Sequence, residues 1–177
     1  MTTSSYVRLV TLTSICIAGT VTRLRAQTPA RFGIAAGATA PVSNYGSDKN
    51  VGYHIGLLVD VRLPPTPFGL RFDGAFHEMR YSGNSTKAQV FMATANGMLK
   101  VPTGSVLMPY LIGGVGVYNS RRTLLFNTLS RTDPGANFGG GLRFELSDVT
   151  AFVEARYHTV TGDAGVRIVP ITVGVLF

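Results

Sequence analysis

Glu154, Arg156 and His158 stand at every second residue near the C-terminal end of the sequence, so an extended backbone points all three to one face. A carboxylate, a guanidinium and an imidazole side by side could relay a proton or hold a reacting group. The alternative is an internal salt-bridge network shared with Arg143 and Glu145 of a neighbouring strand, and the surrounding pattern favours it. His54, His77 and His158 show no ligand pair at metal spacing, so no metal is expected. Gly113, Gly114 and Gly116 lack the Lys-Ser/Thr pair and the following helix of a phosphate loop, and read as glycines packed in a strand. No cofactor and no catalytic set is expected.

Strands are the elements that would position these side chains. In the last one, Val169, Ile171, Val173, Val175 and Phe177 fall on one face, and Pro170, Thr172 and Gly174 on the other. The alternation recurs upstream over about 31–40, 51–63, 68–79, 87–101, 106–118, 136–146 and 150–159, with the facing of the fifth segment left open. Segment 101–120 is long and uncharged enough for a membrane helix, but Pro102, Pro109 and four glycines fit a turn followed by a strand. Connections 64–67, 103–105 and 147–149 are short, whereas 41–50, 80–86, 119–134 and 160–164 are mostly longer and polar. Short turns at one end and long loops at the other predict an all-β, eight-stranded antiparallel up-and-down transmembrane barrel.

Composition agrees. The chain has 177 residues, one domain's worth, with only 14% charged residues and 21 glycines. Arg8, the mostly apolar run 9–22 and Ala26-Gln27 read as an export signal over 1–26, ahead of a barrel domain over 27–177. An uncleaved anchor is the alternative, though the run is short for a span. Cleavage near Ala26 removes Cys16, the single cysteine, which excludes disulfides and thiol catalysis. It also removes Arg8, Arg23 and Arg25, leaving 13 basic against 9 acidic residues and no basic run suited to nucleic acid.

The side of the sheet that carries charge decides between membrane and solution. Asp60, Arg62, Arg71, Asp73, Arg143, Glu145, Glu154 and Arg156 share one face in both signs. A basic residue turned to mid-membrane lipid costs roughly 2–4 kcal/mol, so in a membrane barrel this face turns inward and its charges pair. Eight strands enclose a space that side chains fill, and inward Gly52, Gly56, Gly139, Gly141 and Gly174 relieve the crowding. A secreted soluble barrel that holds a ligand would show the same periodicity with the faces exchanged. The export signal and the terminal aromatic strand favour the membrane.

Segments 109–118, 137–145, 152–158 and 170–177 resemble the small outer-membrane β-barrel family, the group with an OmpA- or OmpX-like eight-stranded barrel. The resemblance extends over residues 31–177. It implies an integral protein of the cell outer membrane, a monomer in contact with outer-membrane lipids and lipopolysaccharide, with no nucleic acid as partner. It further implies that Thr172, Gly174, Val175 and Phe177 form the signal read by the outer-membrane insertion machinery. Longer members carry a peptidoglycan-binding domain, and tethering to the wall by that route is not expected here.

Tyr157-His158 is faintly similar to a strand of the lipid A deacylases. That family pairs its histidine with a serine two residues on, where this chain has Val160, and turns it towards lipid, where His158 is expected to face inward. The expected function is therefore structural or surface-interacting and non-enzymatic. Arg121, Arg122 and Arg131 of the third long loop, beside Leu124, Leu125 and Phe126, are the candidate contact for lipopolysaccharide phosphates or an acidic partner. A narrow porin-like pore and a lipid-modifying enzyme are the alternatives.

Overall fold

A computed structural model describes residues 30–83, 86–124, 127–146, 148–162 and 165–177. The signal segment with Cys16, and Leu125 and Phe126 of the third long connection, lie outside the described residues. Eight strands follow in order: β1 (Ala30–Pro41), β2 (Gly52–Arg62), β3 (Phe68–Arg80), β4 (Lys87–Lys100), β5 (Leu107–Leu124), β6 (Asn127–Leu146), β7 (Val149–Val160) and β8 (Arg167–Leu176). Each pairs antiparallel with the next, and β8 returns to β1 to close a barrel. At the seam Ile34 lies opposite Val175, and Phe32 and Phe177 exchange backbone hydrogen bonds of 3.1 and 2.9 Å. Closure leaves no sheet edge unpaired around the wall.

The wall is apolar outside and polar inside. Ile34, Ile55, Leu57, Phe72, Leu111, Val115, Phe138, Val153 and Val173 are exposed, while Asp60, Arg71, Asp73, Arg143, Glu154 and Arg156 are buried. A protein in water would pay heavily for such an exchange of faces. In lipid it is the stable arrangement, because the closed ladder satisfies the backbone and the apolar side chains meet acyl chains. The soluble ligand-holding barrel is thereby excluded. Among the described residues no helix is long and apolar enough to cross a membrane.

The fifth strand turns Tyr110, Ile112 and Tyr118 inward and Leu111, Val115 and Val117 outward, which settles its facing. The third long connection differs from expectation. Most of 119–134 is not loop but a continuation of the ladder, with Asn119 opposite Thr132, Arg121 opposite Ser130 and Leu124 opposite Asn127. Beyond the membrane both faces of this hairpin meet water, so the apolar alternation that marks a strand disappears while the backbone pairing persists. Cross-strand bonds from Asn119 Nδ2 to Thr132 Oγ1 (2.8 Å) and Ser130 Oγ (3.1 Å) hold it.

Candidate functional site

Three arginines and three carboxylates occupy the middle of the barrel. Arg71 gives its Nε–H to Asp60 at 2.6 Å and an Nη1–H to Glu154 at 2.9 Å. Arg143 binds the other oxygen of Asp60. Arg156 gives Nη1–H to Asp73 at 3.0 Å, and its Nε lies 2.6 Å from the second Glu154 oxygen. The balance of sign matters, because an uncompensated buried charge costs several kcal/mol while one paired on several sides is tolerated. Neutral donors complete the set: Tyr110 OH donates to Glu154 at 2.7 Å, Asn96 Nδ2 to Asp73 at 2.7 Å, and Asn137 Nδ2 to Asn96 Oδ1 at 2.8 Å. The Arg71 guanidinium also rests 4.8 Å from the Phe152 ring centre.

Two of the expected members stand apart. Arg62 and Glu145 pair with each other at 2.9 Å and are each about one-third exposed, which places them at the rim by the short turns. Glu154 therefore takes its partners from across the barrel (Arg71) and from its own strand (Arg156), not from the neighbouring Arg143 and Glu145. The sequence gives no warning of this, because strand alternation specifies a face but not which strands meet across the lumen. Tyr110, Asn96 and Asn137 were missed for the same reason, though inward polar residues on β4 and β6 are visible in the alternation.

The interior glycines follow from these large side chains. A Cβ on Gly141 would lie 2.7 Å from the Tyr110 hydroxyl, and one on Gly135 would lie 2.8 Å from the Tyr118 ring. On Gly174 it would lie 2.5 Å from Cε1 of Phe152 and 2.8 Å from the Ile34 carbonyl oxygen. Gly174→Ala is thus expected to destabilise the refolded barrel by about 1–3 kcal/mol, and Phe152→Leu in the same chain to recover part of the loss. Urea titration of protein refolded without any insertion machinery checks this. An unchanged midpoint would mean that Gly174 is needed only as a signal.

Three histidines far apart in sequence meet above Arg156. His54 and His77 oppose each other across β2 and β3, with ring centres 5.0 Å apart. Thr39 Oγ1 lies 3.0 Å from Nδ1 of His54 and 2.8 Å from Nδ1 of His77, and His54 Nε2 lies 3.0 Å from Thr172 Oγ1. His158 Nδ1 lies 2.9 Å from the Tyr118 hydroxyl. Inward parity and equal height along the hairpin were the signals for this cluster. Among the described residues no group of three histidine, cysteine or acidic side chains is arranged to hold a metal ion.

Apolar layers close the interior at both ends. Leu58, Phe152 and Leu176 pack towards the short turns. Met79, Val90, Met92, Tyr118, Val160, Val166 and Ile168 pack towards the long connections, and Tyr45 lies against them. Tyr45 belongs to a 3-10 turn (Ser43–Gly46) in the first long connection, which folds over the mouth. Backbone bonds pin this segment on two sides: Val42 N to Arg167 O (3.0 Å), and Asn50 N to Arg80 O (2.8 Å). Lys49 sits between the Tyr45 and Tyr81 rings, 4.2 and 4.7 Å from their centres, and its Nζ donates to Asp48 at 2.6 Å. That bond holds the Asp48 carboxyl below its ordinary range, and burial pushes the Tyr45 phenol up. Lys49→Ala is expected to release this cover, seen as faster proteolysis and amide exchange within 41–51 with the barrel ladder still protected.

The three arginines of the outer hairpin do not share one face. Arg121 lies on the outward face, 5.2 Å from the Phe91 ring centre. Arg122 stands on the opposite face of the same strand, 5.2 Å from the Tyr81 ring centre. Arg131 donates to Asp133 at 2.9 Å. Of the residues of the terminal strand, Thr172 is buried inside and bonds His54, whereas Phe177 is exposed on the outer wall.

Known proteins agree with this architecture. Neisserial surface protein A superimposes with a TM-score of 0.67 at 19% identity, over 84% of this chain and 97% of that one. The N-terminal β-barrel domain of Pseudomonas aeruginosa OprF gives 0.54 at 16% identity, over 85% and 100%. Ail, the attachment invasion locus protein of Yersinia pestis, gives 0.53 at 14%, over 84% and 95%. At these identities the likeness carries the fold. No curated protein matches the sequence. Residues 10–177 match the family described as the outer membrane protein beta-barrel domain, and the chain belongs to that family of the outer membrane.

Proposed function

We propose that this protein is a sealed, non-conducting and non-enzymatic barrel that acts through its external face. The observation that carries the reading is the filled lumen: a charge-balanced middle between two apolar layers. The interior cavity beside His54, Asp73, His77 and Arg156 has a volume of about 20 Å³, room for one water. A pore needs a continuous wet path, and both apolar layers oppose one. Glu154, Arg156 and His158 bond to Arg71, Asp73 and Tyr118 inside the lumen, away from any lipid substrate. Planar-bilayer recording of the inserted protein is expected to stay silent. Stable ion-selective steps that change on Arg156→Ala would establish the pore instead.

The same reading has the signal segment cleaved near Ala26, leaving 27–177 as a monomeric barrel domain. Thr172, Gly174, Val175 and Phe177 would be read by the insertion machinery before β8 closes on β1. The outward Val175 and Phe177 and the seam bonds of Phe177 support this. Lipopolysaccharide is the expected partner at the outer rim, where the long connections lie.

A further inference from the structure

We infer that the outer wall of β3, β4 and β5 carries a binding site for the phosphate groups of the outer-leaflet glycolipid, formed by Arg80, Lys87 and Arg121. The inference rests on the external lipopolysaccharide contact proposed above. Of the three hairpin arginines it keeps Arg121, which continues the membrane-facing wall, and joins it to Arg80 and Lys87 of the neighbouring strands.

Register brings the three cations together. Arg80 lies directly opposite Lys87 across β3 and β4, and Arg121 lies directly opposite Gln89 across β4 and β5. All three continue outward-facing rows: Phe76, Glu78 and Arg80; Phe91, Gln89 and Lys87; Val117, Asn119 and Arg121. Neighbouring strands are ~4.8 Å apart, so the set spans about 10 Å across the wall. Like charges directly opposite each other on one face destabilise a sheet unless an anion joins them.

Glu78 supplies one negative charge. It is covered by Lys87 and Gln89, which lie 2.8 and 3.1 Å from its oxygens. Among the described residues it is the single carboxylate on this patch, so Arg80 and Arg121 flank a neutralised pair with their own charges in excess. Both are exposed. The nearby outward positions of β6 and β7, such as Ala136, Phe138, Tyr157 and Thr159, are uncharged.

Depth identifies the occupant. Just below the cations lies a band of aromatic rings, Tyr53 against Phe76 at 6.4 Å and Phe76 against Phe91 at 4.7 Å. Aromatic girdles mark the membrane interface, so the cations sit at headgroup level on the long-connection side, which faces outward in such barrels. The Arg121 guanidinium, stacked over Phe91, has its remaining N–H groups available for phosphate oxygens. A ligand here lies in the plane of the membrane, its acyl chains along the apolar wall and its phosphates on the arginines.

The test uses the refolded barrel with phosphatidylcholine vesicles that contain phosphorylated lipid A, dephosphorylated lipid A or phosphatidylglycerol, with retained lipid read by native mass spectrometry. The wild type should retain phosphorylated lipid A over the other two. Arg80→Ser with Arg121→Ser should lower that retention about tenfold while keeping the heat-dependent gel shift of a folded barrel. Arg122→Ser should leave it unchanged. Equal retention by the double variant, or greater loss from Arg122→Ser, would overturn the wall site. Equal retention of phosphatidylglycerol would overturn the assignment to glycolipid. Bilayer silence is read separately, so the sealed barrel can stand when the site fails.

Discussion

Replacing Arg71 with alanine is expected to destabilise the barrel by about 3–5 kcal/mol, the cost of breaking a buried ion pair from one side. Arg71 is wholly buried and holds Asp60 and Glu154 at once. Its loss leaves three carboxylates, Asp60, Asp73 and Glu154, with only Arg143 and Arg156 to balance them, and opens a void between Phe152 and Tyr110. The charge effect can be separated from the packing effect. Arg71→Met combined with Glu154→Gln leaves two arginines against two carboxylates, Arg143 with Asp60 and Arg156 with Asp73, and restores most of the volume, so it should recover much of the loss. Urea unfolding of the lipid-reconstituted protein gives both numbers. A cost below about 1 kcal/mol for Arg71→Ala would mean that water reaches the network, as it does for exposed pairs.

Gly139→Val should also cost about 3 kcal/mol, at the upper end for overpacking. A Cβ at this position would run into the Ala155 carbonyl oxygen and lie 2.7 Å from Cα and 2.9 Å from Cγ of Arg156. Two obstacles therefore combine, a backbone that belongs to the β6–β7 ladder and the stem of an arginine fixed between Asp73 and Glu154. Gly74→Val is the control, since a Cβ there meets nothing within 4 Å on the lipid side. The gel-shift temperature of the folded form should fall for Gly139→Val and stay nearly constant for Gly74→Val. Equal behaviour of the two would mean that the lumen is looser than these contacts require.

The barrel was legible because lipid imposes a simple rule on each strand. Alternation such as Tyr53, Ile55 and Leu57 against His54, Leu58 and Asp60 needs no knowledge of the partner strand to be recognised. The outer hairpin escaped that rule because from Arg121 and Arg122 to Ser130 and Arg131 neither face meets acyl chains, so nothing periodic marks the strand. The interior was legible as a face but not as a network. Arg71 and Glu154 are brought together by barrel closure, which acts over 83 positions of sequence and leaves no local trace. The histidine cluster was hidden likewise, although His54 and His77 become partners once the β2–β3 register is known.

The most direct test of an inside-out, sealed barrel is thiol labelling of single-cysteine variants of 27–177 in lipid vesicles, since that segment has no cysteine of its own. Leu57→Cys places a thiol on the outer wall, Thr94→Cys places one in the lumen, and Ser82→Cys is the exposed control. A water-soluble maleimide should modify Ser82→Cys alone, and a membrane-partitioning reagent should reach Leu57→Cys. Reaction of Thr94→Cys with the water-soluble reagent at the rate of Ser82→Cys would contradict the sealed lumen. The same result at Leu57→Cys would place the apolar wall in water and contradict the membrane-spanning barrel itself.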